Sequence, residues 1–255
     1  MCCILTRWKK VCYWRVCYNS KPIFYIFCRA DRNVIIWKNT FEAELKFHQG
    51  DSIQCLSFNP ISGQIFSGCA TDYALWTPDQ GEIEKDKVNS KINCCAWTQD
   101  GQNLAYGMAN GSISIKTKKL NEKALIKKKG QVWCLAWTPI TSESTESLLV
   151  VGCWDQTISV YDVNGKQVFA DKPIGFDPLN ISFFSNGEFF VLAGTNRKVS
   201  LWTKELNYLE DICEKKSWIW GAQVKPKQNT IAAVTEDGTI AVHDVKFTVV
   251  HGIYR

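Results

Sequence analysis

From Ala30 to Asp244 the chain is a succession of short runs in which apolar residues alternate with others, each run ended by a turn. "SIQCLSFNP", "KINCCAWTQDG", "VWCLAWTP", "LNISFFSNG" and "WIWGAQVKP" follow this rule. Alternation at period two makes a strand with two different faces. The breaks after these runs carry Ser62-Gly63, Asp100-Gly101 and Asn186-Gly187, pairs suited to tight hairpins that need a positive φ. A second apolar run follows, as in "QIFSGCA", "NLAYGMA", "LLVVGCW" and "FFVLAGT". Next come an acid or amide and a third apolar run, as in "GCWDQTISVYD" from Gly152 to Asp162. A more polar run closes the unit: "FEAELKF", "GEIEKDKV", "KALIKKK", "KQVFADK" or "YLEDIC". The predicted unit is four antiparallel strands, three apolar and an outermost one that carries charge because one of its edges meets water.

The unit repeats. Its third run closes at Trp37, Trp76, Lys116, Tyr161, Trp202 and His243, at intervals of 39, 40, 45, 41 and 41 residues. A period of about 40–45 residues with four strands per unit is that of WD40 repeats, whose units are the blades of a propeller. An acid or amide precedes each closing residue: Asp31, Asp72, Asn110, Asp155, Asn196 and Asp237. The offset is six in five of the six copies but four from Asp72 to Trp76, which predicts a clipped turn or strand in the second blade. The predicted fold is all-β: an incomplete WD40 β-propeller of about five full repeats and one partial repeat. Residues 30–255 form the repeat region, and residues 1–29 are an atypical segment, either a degenerate blade or translated non-coding sequence.

The repeated residues read as structural. A short acid or amide at a hairpin caps backbone N–H groups. One carboxylate per blade is spread around a ring, which is wrong for a metal or a catalytic pair. The closing aromatics Trp37, Trp76, Tyr161 and Trp202 fill the space between blades. His48 lies near the place where WD repeats put a histidine that bonds the turn acid, but its spacing to Ile53 is one residue too long for that network.

Composition narrows the chemistry. Hydrophobic residues make up 45% and charged residues 22%, so the chain has the material for a core. The 12 cysteines fall mostly inside apolar runs (Cys55, Cys94, Cys134, Cys153), as small buried hydrophobes do in a reducing compartment. There is no pair of C-x-x-C knuckles and there are three histidines, so neither a zinc site nor any other cofactor site is expected. A formal charge of +5 does not call for a nucleic-acid partner. No run approaches the roughly 18 apolar residues of a membrane span. Phosphate-loop, serine-hydrolase and zinc-protease motifs are missing, and no catalytic residue is expected.

Three other stretches stand out. "IKTKKLNEKALIKKKG", Ile115 to Gly130, is the densest basic run, read as a solvated outer strand with attraction to an anionic lipid or acidic partner as the sharper alternative. "PITSESTES", Pro139 to Ser147, accounts for the long fourth interval as a polar loop with phosphorylatable hydroxyls. Trp133 with Trp137, and Trp218 with Trp220, sit at same-face strand spacing; core packing is the expectation and a groove anchor the alternative.

The copies also carry a resemblance. "RADRNVIIW", "DSIQCLSFNP", the clipped "ATDYALWTPDQ", "SKINCCAWTQDGQNLAYGMANGSISI", "FDPLNISFFSNGEF", "KSWIWGAQVKP" and the closing "FTVVHGIYR" resemble, in order, the amino-terminal propeller of the intraflagellar transport protein 122 family. That family supplies a WD-repeat subunit of intraflagellar transport complex A. The resemblance implies a scaffold without enzymatic activity in cilia and flagella, at the axoneme and basal body and in cytoplasm and cytoskeleton. It implies a part in dynein-driven retrograde transport, cilium assembly and entry of membrane cargo. The implied partners are other complex A subunits and ciliary cargo or adaptor proteins. A WD40 adaptor of another assembly, a vesicle coat or a ubiquitin-ligase substrate receptor, is the alternative on the same fold. The family continues past the position of Arg255, so a fragment is expected, and an open arc of blades would leave apolar faces uncovered and prone to self-association.

Overall fold

The computed structural model describes residues 12–16, 24–28, 32–37, 43–77, 82–142 and 146–247. Every described element is a strand, and the strands form six antiparallel sheets in chain order. The first joins β1 (Cys12–Val16), β2 (Phe24–Cys28), β3 (Asn33–Trp37) and β4 (Ala43–His48). The second joins β5 (Cys55–Phe58), β6 (Ile65–Gly68), β7 (Asp72–Thr77) and β8 (Glu82–Lys87). The third holds β9 (Ile92–Trp97), β10 (Asn103–Met108), β11 (Ser112–Thr117) and β12 (Glu122–Lys127). The fourth holds β13 (Val132–Trp137), β14 (Leu149–Cys153), β15 (Thr157–Tyr161) and β16 (Gln167–Pro173). The fifth holds β17 (Pro178–Phe183), β18 (Phe189–Gly194), β19 (Lys198–Thr203) and β20 (Tyr208–Glu214). The sixth has three strands, β21 (Ile219–Val224), β22 (Thr230–Thr235) and β23 (Ile240–Asp244). This is the incomplete propeller read from the period: five four-stranded blades and one partial blade. Two strands of the first sheet come from the segment before Ala30.

The turns explain the hairpins. Gly63, Gly101 and Gly187 have φ of +72°, +65° and +73°, a region that costs a residue with a Cβ. The clipped copy is clipped in its turn and not in its strand. Ile65 pairs with Trp76, eleven residues on, whereas Leu149 pairs with Tyr161 and Phe190 with Trp202, twelve on.

The sheets stack inner strand to inner strand, β5 on β9, β9 on β13, β13 on β17 and β17 on β21. Each interface is one apolar cluster. Phe66, Tyr73 and Leu75 of the second sheet meet Ile92, Leu104 and Tyr106 of the third. Ala105, Ile113 and Ile115 of the third meet Val132, Leu149 and Val151 of the fourth. Val150, Ile158 and Val160 turn the other way, toward Ile181, Phe190 and Leu192 of the fifth. Neighbours along one strand therefore serve opposite interfaces, as a period of two requires. Full burial of one such side chain stabilises by roughly 1.5–3 kcal/mol. On the sixth sheet one face packs on the fifth through Ile219, Ala222, Ile231 and Ala233, while Ile240 and Val242 are 62% and 66% exposed.

Close approach at these interfaces depends on glycine. Gly68, Gly107 and Gly152 each lie against a cysteine of their own inner strand (Cys55, Cys94, Cys134) and the first residue of the next sheet's inner strand (Ile92, Val132, Pro178). A Cβ on Gly152 would come within 2.5 Å of Cys134 Sγ and 3.0 Å of Pro178. Burial pushes the Cys94 and Cys134 thiols well above their usual range, so these cysteines are packing atoms and not nucleophiles. Gly152→Ala is expected to cost about 1–3 kcal/mol by overpacking, read as a lower urea midpoint. Val168→Ala, on an exposed outer strand, should stay within about 0.5 kcal/mol of the unmodified chain.

Candidate functional site

One residue just past each outer strand ties its sheet to the next. Gln49, Val88, Lys128, Ile174 and Lys215 occupy this station; their backbone N–H groups donate within their own sheets, to the carbonyls of Arg32, Thr71, Gly111, Gln156 and Arg197 at 2.8 to 3.0 Å, and their side chains reach the next sheet. The backbone anchor is the same; the side chains differ. Gln49 is fully buried. Its Nε2 donates to Asp72 Oδ1 at 2.8 Å, its Oε1 accepts from Ser67 Oγ at 2.7 Å, and Ser67 Oγ accepts from the Trp76 indole at 2.7 Å. This chain of bonds satisfies a buried tryptophan, serine and glutamine together, and a partner left unpaired in such a setting costs about 1–3 kcal/mol. It is the network that His48 lies one residue too early to make; the next residue makes it.

Val88 and Ile174 fill the same station with apolar atoms, packing against the second-to-third and fourth-to-fifth interfaces. Lys128 fills it with charge. Its ammonium donates to Ser159 Oγ at 2.8 Å and Asp171 Oδ2 at 2.7 Å and lies 3.9 Å from Asp155 Oδ2. Burial alone would lower the Lys128 pKa; the Asp171 hydrogen bond, with the charges of Tyr161 and Asp155, outweighs it and leaves the pKa raised. Asp171 is the mirror case: burial pushes it up, the bonds from Lys128 and Ser159 pull it down, and the net is a lowered pKa. Lys215 Nζ sits 3.1 Å from His243 Nε2. An ammonium only donates, so in this contact Nε2 is the acceptor.

The basic run is therefore not one solvated face. Lys116 and Lys128 are 9% and 7% exposed and point into interfaces. Lys116 donates to Tyr73 Oη at 3.0 Å and lies 5.0 Å from that ring's centroid. Tyr73 is pushed up to about 12, first by burial and then by the Asp86 carboxylate it donates to at 3.3 Å. Lys118, Lys119, Lys123, Lys127 and Lys129 are the exposed members.

The repeat positions divide. Asn110, Asp155, Asn196 and Asp237 each accept, through a side-chain oxygen, the backbone N–H two residues on, at 2.9, 3.2, 3.2 and 3.0 Å. Asp72 does not. The shortened turn moves it into β7, where it accepts from Gln49 and from Cys69 Sγ at 2.9 Å. Trp76, Tyr161 and Trp202 are 0%, 4% and 5% exposed. Trp76 meets Phe47 of the preceding sheet with ring centroids 4.4 Å apart, and Tyr161 and Trp202 belong to the clusters joining their sheets to the preceding ones. Asp31 lies outside the described residues. Trp37 is described only as backbone, paired with Tyr25 and Ala43.

The tryptophan pairs separate as well. Trp137 is buried and its indole donates to Ala96 O at 3.1 Å. Trp133 falls on a register shift between Val132 and Cys134 and leaves that face. It stacks on Trp154 at 4.5 Å and reaches Trp220 at 6.2 Å, which meets Trp218 at 6.3 Å. Trp218 precedes β21 and is not on a strand. The sequence offered three of these four, Trp133, Trp218 and Trp220; Trp154 was hidden in a turn.

The family model described as IFT122 first beta-propeller matches residues 17–244. The chain belongs to the IFT122 first-propeller family. The intraflagellar transport protein 122 homologs of Xenopus tropicalis and Danio rerio are each 43% identical to it, and that of Mus musculus 42%, over 230 residues. That is 89% of this chain and 19% of each relative, so the chain spans about a fifth of the relatives' length. The match to the IFT122 family starts at residue 17, inside the segment that supplies β1 and β2.

The Lys128 and Asp171 pair gives a pH test. A lowered Asp171 pKa adds stability above the unfolded carboxylate range, lost as pH falls through the folded value below 3.8. A raised Lys128 pKa adds stability below 10.5, lost as pH rises through the folded value. Denaturation midpoints followed from acid to alkaline pH should show both shoulders, and Lys128→Met should flatten both.

Proposed function

We propose that this chain serves as a non-enzymatic scaffold and adaptor in intraflagellar transport complex A. The observation that carries the reading is the family match across residues 17–244, with relatives of 42 to 43% identity that bear the intraflagellar transport name. The physical chemistry is consistent with it. Several of the shifted groups among the described residues are spent inside the fold: Lys128 and Asp171 join two sheets, Tyr73 meets Lys116, and Cys94 and Cys134 are packing atoms. A stack of sheets with polar outer strands offers rim and turn surfaces for several proteins at once.

In this reading the partners are other complex A subunits, with ciliary membrane cargo or adaptor proteins as further ligands; nucleic acid is not among them and the chain does not cross a membrane. No helix of the described residues is long and apolar enough to do so. The work is retrograde transport, cilium assembly and delivery of membrane cargo, at the axoneme and basal body and in the cytoplasm and cytoskeleton. Residues 30–255 act as the repeat region with 1–29 as its atypical lead. Asp31, Trp37, Asp72, Trp76, Asn110, Asp155, Tyr161, Asn196, Trp202 and Asp237 serve the scaffold and not a ligand. A fluorescently tagged copy of the gene product in ciliated cells should lie along the axoneme, gather at the tip when retrograde motion is blocked, and co-purify with complex A subunits. A diffuse signal with no such subunits recovered would contradict the proposal.

A further inference from the structure

The inner strands β9, β13, β17 and β21 each slip register near their start, and the residue left out of pairing is Asn93, Trp133, Leu179 or Trp220. A bulge re-aims its side chain away from the sheet. In two of the four it re-aims a tryptophan, and the two rings come within 6.2 Å although a whole sheet lies between theirs in sequence. Trp154, from the β14–β15 turn, and Trp218, 44% exposed, extend the surface at either end.

These rings are set apart from Trp76, Trp97, Trp137 and Trp202, which are buried. The indoles of Trp76, Trp137 and Trp202 donate to Ser67, Ala96 and Ser200. The Trp154 indole N–H is shielded and has no partner among the described residues, a state it shares with the core residue Trp97. None of the four belongs to the buried clusters that hold the sheets together. Charge borders the rings unevenly. Lys129, Arg197 and Lys216 are exposed in the adjoining turns. Of the acids there, Asp155 and Asp237 accept bonds within their own turns, and Asp155 also faces Lys128; Asp177, bonded to Thr195 in the turn that holds Arg197, and Glu236 are half-buried.

We propose that this tryptophan surface docks an extended, acidic, proline-containing peptide segment of a partner protein. Pyrrolidine rings stack on indole faces, and the polyproline conformation is preformed, so little order is lost on docking. Flanking carboxylates would meet Lys129, Arg197 and Lys216. The inference goes beyond membership in complex A and does not depend on it, because the test needs only purified chain and synthetic peptide.

The full chain is titrated with a labelled peptide carrying a proline-proline-leucine-proline centre between glutamates, read by polarisation and by tryptophan emission. Saturable binding with an emission change is expected. Binding should weaken roughly tenfold when the glutamates become lysines, when the prolines become serines, or in Trp218→Ala, and by a smaller factor in Lys216→Glu. Trp218 is exposed enough for Trp218→Ala to keep its melting temperature, and Trp218→Phe should retain most of the binding. No saturable binding, equal or tighter binding of the lysine-flanked peptide, or full binding by Trp218→Ala would each overturn the proposal.

Discussion

A sheet whose inner strands are apolar on both faces has to be covered twice. Val150 and Val151 are neighbours in one strand, both fully buried, and each is covered by a different sheet. That constraint makes each blade depend on the blade before and the blade after it. Glycines at 68, 107 and 152 let the sheets come close, and cysteines at 55, 94 and 134 fill what the glycines leave. The residue past each outer strand then fixes one sheet against the next, through a hydrogen-bonded amide, a buried ammonium or an apolar side chain. Where the cover stops, at Ile240 and Val242, apolar side chains stand exposed.

The stations that join the sheets alternate in chemistry. Gln49, Lys128 and Lys215 reach polar atoms of the second, fourth and sixth sheets, while Val88 and Ile174 bring apolar atoms to the third and fifth. Buried polar links are costly when broken and set a single geometry when whole. An apolar link tolerates small shifts. The second-to-third joint, apolar at its station, has its buried polar link elsewhere, from Lys116 to Tyr73.

Much of this was legible in the sequence, and what was missed has a physical cause. The period, the strand alternation and the hairpin glycines are local signals, and so they placed the four-stranded units and a shortening before Trp76, in a turn or a strand, that the structure puts in the turn. Side-chain networks are not local. His48 had the right chemistry in the wrong position, and Gln49 had the position without the expected chemistry. Lys116 and Lys128 looked like the rest of a basic run because burial depends on strand register, not on composition. Trp133 and Trp137 share a face only if the strand is regular, and the bulge at Trp133 breaks that rule. Trp154 gave no periodic signal because turn residues have none. The family, by contrast, was carried by short stretches in a fixed order, and these survive where individual networks vary.

The central claim is that the residue after each outer strand holds the next sheet's core together. Exchange of the tryptophan indole protons, resolved in a spectrum of the chain with nitrogen-15 in its tryptophans, tests it most directly. The Trp76 and Trp202 protons should exchange slowly, since both donate to buried serines. Replacing Gln49 with alanine should speed exchange at Trp76 and leave Trp202 as it was. Equal protection of Trp76 with and without the Gln49 side chain would contradict the account.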